Sequence, residues 1–311
     1  MQGQRVMVVG ATGKIGKHLV RRLVEAGNEV HGIARFADHE PRERLVELGV
    51  TTYQRDVAEP AGLEGVPRDY DYVFHEAAVK FGAADDLRYT VELNVRAVGR
   101  AMEHFAGTRG FLFASTGNVY ADTPDGATEA DLPQPPSFYA VTRLGGEWMV
   151  DYFSRRNRTP AVVQRIFYAY HEEFGVPTDI ARRIRDDAPV DLSTPFVNVI
   201  WLDDLLDAMI ASAALASVPP TVLNMTGLER VSVRGMARRL GEIMGRSPRF
   251  TNEGGGSSLL GKADEMARLL GAPKTPLDEG LQRVAASVRR REFPLDHPTQ
   301  FEKRTGFAAP P

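Results

Sequence analysis

The sequence contains no cysteine. That excludes a disulfide framework, a Cys-ligated zinc or iron–sulfur centre, and a Cys nucleophile. It has no apolar run of the roughly 18 or more residues that a membrane-crossing helix needs, so no membrane partner is expected. Nor does charge of one sign dominate: the formal net charge is −3, which leaves no basic footprint for nucleic acid. The seven histidines (18, 31, 39, 75, 104, 171 and 297) lack a His-x-x-x-His spacing, so no metal site is expected. Lysine is scarce, at positions 14, 17, 80, 262, 274 and 303 only, so arginine supplies 32 of the 38 basic residues. The N-terminus runs straight into a strand-like segment without a signal-peptide core, and a cytoplasmic enzyme or binding protein is the expectation.

What the chain does have is length and an ordinary composition. Its 311 residues, 43% hydrophobic and 25% charged, suit two domains or one large α/β unit with an appendage. Short apolar runs alternate with longer amphipathic stretches. Strands are predicted at 5–9, 30–34, 51–54, 72–75, 111–115 and 161–167, and helices at 14–26, 87–105 and 139–155. Such alternation implies right-handed crossovers and a parallel sheet covered on both faces. Beyond 167 the pattern loosens, with strands near 197–200 and 221–225 and helices at 203–216, 231–244 and 277–291. The arginine runs at 155–158, 182–185 and 289–291 read as solvated helix faces.

Between the first strand and first helix stands Gly10-Ala11-Thr12-Gly13-Lys14-Ile15-Gly16. Gly10 permits a tight turn, Gly13 lets backbone approach a pyrophosphate, and Gly16 lets the helix pack closely on the strand. The N–H groups and positive end of that helix then face the phosphates. No Gly-Lys-Ser/Thr closes the loop, so it is not a kinase-type phosphate loop. Strand two ends in Ala34-Arg35, where NAD-selective folds commonly carry an acid for the ribose 2′-hydroxyl. Arg35 can clamp a 2′-phosphate, so NADP is the expected cofactor, with NAD as the alternative. Asp56-Val57, ending strand three, is expected beside the adenine, or Asp56 is a helix cap.

Further segments complete a pattern: Asp71-Tyr72-Val73-Phe74-His75-Glu76-Ala77-Ala78, Asn94-Val95, Ser115-Thr116-Gly117-Asn118-Val119-Tyr120, Tyr139-Ala140-Val141-Thr142-Arg143, Arg165-Ile166-Phe167 and Trp201-Leu202-Asp203-Asp204. In this order and spacing, the chain resembles the extended short-chain dehydrogenase/reductase family, the NAD(P)-dependent epimerase/dehydratase group, over nearly its whole length. The resemblance implies an α/β, Rossmann-type doubly wound parallel sheet with a smaller C-terminal substrate lobe. The dinucleotide domain would comprise 1–165 completed by 198–225, and the substrate-binding lobe 166–197 and 226–311. It also implies hydride transfer at a carbinol or carbonyl carbon of a small molecule, such as a sugar or nucleotide sugar.

Carried onto this sequence, the resemblance makes Tyr139 the acid/base and Thr116 the anchor of the substrate oxygen. Ala77, Ala78, Lys80 and Asn94 join the cofactor site, with Tyr139 and residue 143. Glu76, Ser115, Asn118 and Tyr168 are the candidates for touching substrate. The family's lysine four residues after the tyrosine is Arg143 here. Arginine keeps the charge that favours the phenolate but, ionised to above about pH 12, cannot relay a proton. An active enzyme with a substituted cation, an active enzyme with altered chemistry or another base, or a catalytically weakened NADP(H)-binding sensor follows. Glu76 departs from an apolar family position and is a substrate ligand, an acid/base or a paired structural acid. Tyr168 stands near a family asparagine, as a substrate wall or as core. The short 171–195 insert weighs against a nucleotide-sugar substrate. The helices at 87–105 and 139–155 carry apolar residues beyond one face, including Val91, Val95, Val98, Met102, Trp148, Met149, Tyr152 and Phe153. In the resembling family they pair across a two-fold axis, so a homodimer is expected.

Overall fold

The computed structural model describes residues 1–37, 39–80, 82–294 and 298–302. His297 lies outside them. The chain begins β1 (Arg5–Val9), α1 (Gly16–Glu25), β2 (Glu29–Ala34), α2 (His39–Glu47), β3 (Thr51–Gln54) and β4 (Tyr72–His75). Then come α3 (Leu87–Val91), α4 (Ala97–His104), β5 (Gly110–Thr116), β6 (Thr123–Ala127), α5 (Phe138–Asn157) and β7 (Ala161–Ile166). Next are β8 (Tyr168–Tyr170), α6 (Val176–Arg185), β9 (Val190–Asp191), β10 (Phe196–Val197), β11 (Val199–Trp201), α7 (Leu202–Ala211) and β12 (Thr221–Met225). The chain continues with β13 (Val231–Ser232), α8 (Val233–Met244), β14 (Phe250–Thr251), β15 (Leu259–Gly261), α9 (Asp264–Leu270) and α10 (Leu277–Arg290).

Seven strands form one sheet in the order β12-β7-β5-β4-β1-β2-β3, and the pairings from β3 through β5 are parallel. This is the expected doubly wound α/β sheet. Its strand order reverses between β1 and β4, which opens the crevice where open α/β sheets hold ligands. Every residue of β5 and β7 is buried, as a strand covered by helices on both faces requires. One core cluster fills the space between the sheet and the helices α4 and α5, with Met7, Val73, Val98, Met102, Phe111, Phe113 and Val150.

The chain divides into two compact units. The first holds residues 1–116, 138–165 and 206–223; the second holds 117–137, 166–205 and 224–311. Residues 117–137 and 198–205, expected in the dinucleotide domain, therefore fall in the second unit. Backbone pairing explains the former, because β6 pairs with β15. The latter includes β11, which pairs with β8.

Two expectations need correction. The helix over 87–105 is not one regular α-helix. A π-helical stretch over Glu92–Arg96 separates α3 from α4, and it carries Asn94. The 182–185 run is not a wholly solvated face. Arg182 is buried and donates to the carbonyls of Glu173 at 3.1 Å and Pro294 at 3.3 Å. The short 171–195 insert contains α6, whose Val176, Ile180, Ala181 and Ile184 enter the core of the second unit.

Candidate active site

The turn after β1 is fixed by sterics. Gly10 adopts φ +91°, and its N–H and that of Ala11 both donate to the Ile33 carbonyl, at 2.8 and 3.1 Å. A Cβ on Gly10 would stand 2.6 Å from the Ala77 nitrogen, so the backbone after β1 presses on the backbone after β4. Gly13 closes the turn by donating to the Gly10 carbonyl at 3.0 Å, and a side chain on Gly16 would strike that same carbonyl. No side chain caps the start of α1. That leaves the helix end available to an anionic ligand.

A cavity of about 170 Å³ opens here, at the carboxyl ends of β1, β2 and β4. Its walls bring together Gly10, Thr12 and Gly13 from the turn, Arg35, Asp56 and Val57 from the ends of β2 and β3, and Glu76, Ala77 and Ala78 after β4. Lys14, Ile15, Gly16, Lys80, Asn94, Tyr139 and Arg143 are not on that wall. Asn94 is buried behind it. Its Oδ1 accepts from the Val79 N–H at 2.9 Å, and its Nδ2 donates to the Val79 carbonyl and to Thr142 Oγ1, each at 3.0 Å. It thereby staples the segment after β4 to α5.

Asp56 lines the cavity and caps a turn, not a helix. Its Oδ1 caps the turn by accepting from the Ala58 N–H at 2.9 Å, while its Oδ2 accepts from the Tyr89 hydroxyl at 3.0 Å. Arg35 Nη1 donates to that hydroxyl at 3.4 Å. Burial, followed by the hydrogen bond to Asp56, raises the Tyr89 pKa. Tyr89, Arg55 and Leu93 also line the cavity, and sequence reasoning missed all three. Tyr89 and Leu93 carry no local motif. The one available signal is that Asp86 caps α3, accepting from the Tyr89 N–H at 2.9 Å.

The start of α5 is pinned to the end of β5 by charge. Arg143, only 1% exposed, donates to the Ala114 carbonyl and, at 3.4 Å, to the Ala77 carbonyl. Its guanidinium lies 4.4 Å from the centre of the Phe113 ring. Burial lowers its pKa, and the facing charges of Tyr139, Glu76 and Glu147 oppose that shift. One turn further along, Ser115 Oγ donates to Glu147 at 2.5 Å, and Arg165 forms a buried ion pair with Glu147 at 2.7 Å. Gly146 lets α5 come this close, since a Cβ there would stand 2.6 Å from Phe113. Tyr139 and Arg143, four residues apart, share one helix face. Thr116 ends β5 and is buried.

His75 ends β4 and Glu76 follows it, against this cluster. The buried His75 ring has no hydrogen-bond partner at either nitrogen, and burial holds its pKa down at about 3. Glu76 Oε1 is sealed from solvent and also lacks a partner; burial raises its pKa to about 8, against the pull of Arg143. The last two candidates belong to the second unit. Asn118 lies in a single helical turn over Gly117–Val119, and Tyr168 opens β8.

A parallel sheet with a glycine turn after its first strand, and a cavity at its order reversal, defines a dinucleotide-dependent α/β enzyme. The comparisons narrow this. Residues 6–226 match the NAD dependent epimerase/dehydratase family, and the chain belongs to that family. It is an enzyme that acts by hydride transfer between a nicotinamide cofactor and a carbinol or carbonyl carbon. It is 30% identical over 239 residues to a dTDP-6-deoxy-L-talose 4-dehydrogenase (NAD(P)(+)) of Kitasatospora kifunensis, covering 72% of this chain and 74% of that protein. It is 25% identical over 263 residues to an uncharacterised UDP-glucose epimerase of Bacillus subtilis (strain 168), covering 78% of this chain and 83% of that one. Among solved structures, the UDP-glucuronic acid 4-epimerase of Bacillus cereus in complex with NAD superposes with a TM-score of 0.80, at 22% identity over 92% of this chain and 96% of that one. The preference for NADP expected from Arg35 finds no support here, since the family is described as NAD dependent. No helix among the described residues is long and apolar enough to cross a membrane.

Proposed function

We propose that the chain oxidises or epimerises a sugar carried on a nucleoside diphosphate, with NAD in the cavity behind Gly10. The substrate class rests on the names of relatives matched over about three quarters or more of their length. The observation that carries the cofactor reading is the Gly10 turn pressed against Ala77 at the mouth of that cavity. The cradle fits a dinucleotide: glycine backbone at the phosphate end, and polar groups from β2, β3 and β4 around the rest. Arg35 and Arg55 stand where they would also accept a 2′-phosphate, which makes NADP the second cofactor to test.

When bound, the dinucleotide supplies the hydride acceptor and donor. The chain's own residues do the remaining work. Tyr139 takes the proton from the substrate hydroxyl as the C–H bond breaks, and returns it on reduction. Thr116 holds the same oxygen through its hydroxyl. Arg143 supplies fixed positive charge one helical turn from Tyr139, and its fork to the Ala77 and Ala114 carbonyls keeps that helix in register with β5. Ser115 is spent on Glu147, so its part is to hold α5. Asn118 and Tyr168, the remaining substrate candidates, belong to the second unit.

The test is single turnover of the NAD-loaded chain against UDP- and dTDP-sugars, read by nicotinamide absorbance. Reduction on mixing is expected with at least one sugar. NAD binding with no reduction across the panel would favour a cofactor sensor instead. A homodimer through α5 belongs to the same reading. Val98 and Met102, expected at the interface, are buried in the core. Val141, Trp148 and Tyr152, exposed by 45%, 63% and 56%, form one apolar stripe at seven- and four-residue steps. Light scattering should give a dimer, and Trp148→Glu a monomer.

A further inference from the structure

Among the described residues, Glu76 is the carboxylate near Arg143 that no hydrogen bond explains. Glu147 is committed to Ser115 and Arg165, and Asp56 to Ala58 and Tyr89. Glu76 lines the cavity, and its Oε1 is sealed away without a donor. A carboxyl on a cavity wall that no donor in the protein satisfies has acceptor capacity left for whatever fills the cavity. A nicotinamide dinucleotide is rich in such donors: ribose hydroxyls, a carboxamide and the adenine amine.

We propose that Glu76 accepts a hydrogen bond from the bound dinucleotide and sheds a proton as the cavity fills. The inference rests on the cofactor reading above. The groups around Glu76 are Arg143 and Tyr139 on α5, the neutral His75 on β4, and Arg35, Arg55 and Asp56 on the cavity wall. Among them Arg143 acts on Glu76, and its attraction is outweighed by burial, so the empty cavity holds the acid form with a pKa near 8. An arriving O–H or N–H donor binds the carboxylate more strongly than it binds the neutral acid, which favours the ionised form. The carboxyl O–H bond therefore breaks, the proton passes to buffer, and the carboxylate accepts the donor and pairs with the Arg143 charge. Arg143, ionised throughout, cannot take up that proton. An apolar residue at 76 would give neither the hydrogen bond nor the proton.

The experiment is calorimetric titration of NAD into the full chain, in buffers of different ionisation enthalpy. The dependence of heat on buffer gives the protons exchanged. Wild type should release about one proton per site at pH 7, falling to about a tenth by pH 9. Glu76→Gln, which keeps shape but cannot ionise, should release close to none and bind NAD several-fold more weakly at pH 9. No proton release by wild type, or the same release by Glu76→Gln, overturns the assignment. The pH dependence of the wild type decides the matter alone if the variant does not fold. If neither NAD nor NADP binds at all, the cofactor reading itself fails, a result distinct from binding without proton release.

Discussion

The turn after β1 and the start of α5 solve different problems in the same unit. At the turn, space decides: Gly10 has a left-handed φ and backbone pressed against it, so one residue type fits. At α5, charge decides: a buried cation is needed between two strand ends, and its shape is negotiable if its hydrogen bonds are met. Arg143 meets them with a fork and a ring face.

The sharpest break in this comparison is at the residue the charge serves. Tyr139→Phe removes the acid/base, so turnover should fall by about 10²–10⁴-fold while NAD affinity barely moves. Rate and calorimetry together check it. On the steric side, Gly10→Ala forces a Cβ into the Ala77 backbone and strains a positive φ by roughly 1–3 kcal/mol. NAD affinity should drop by at least about tenfold and thermal stability with it, read by calorimetry and a melting curve.

The pair at the end of β4 sharpens the electrostatic half through pH. His75 is held near 3 against an ordinary 6.5, so the folded chain refuses a proton that the unfolded chain takes as pH falls below 6.5. Glu76 is held near 8 against an ordinary 4.5, so the folded chain keeps a proton that the unfolded chain loses as pH rises above 4.5. Between 4.5 and 6.5 the two slopes cancel. Below 4.5 histidine alone makes stability fall with acid. From 6.5 to 8 glutamate alone makes it fall with base, by roughly 2 kcal/mol. Denaturant melts of the cofactor-free chain should show that loss above pH 6.5, and Glu76→Gln should abolish it. The smallest effect is expected at Arg35, half-occupied by Tyr89 and on an open edge. Arg35→Asp should weaken NADP relative to NAD by about tenfold, measured by titration of both.

The steric features were the legible ones. Strand runs such as Arg5–Val9 and Tyr72–His75 sit where the apolar pattern puts them, because buried parallel strands need continuous apolar residues. The glycine turn was readable for the same reason. What escaped is what depends on three-dimensional approach. Tyr89 reaches Asp56 across 33 residues, and the π-helical stretch that sets Asn94 has no sequence period of its own. Ser115, a substrate candidate by position, proves to be tied to Glu147. Arg182 looked solvated because a run of arginines hides which one turns inward.

The measurement that bears most directly on the contrast between space and charge is Arg143→Lys, assayed for melting temperature and for the pH dependence of turnover. Lysine keeps the charge but cannot fork to both the Ala77 and Ala114 carbonyls. The variant should lose stability, by roughly 1–2 kcal/mol, yet hold kcat within a few-fold with its pH profile in place. A variant that melts like wild type but loses turnover by about 10²-fold or more would contradict the account, because it would make the guanidinium's shape, not its charge, the catalytic requirement.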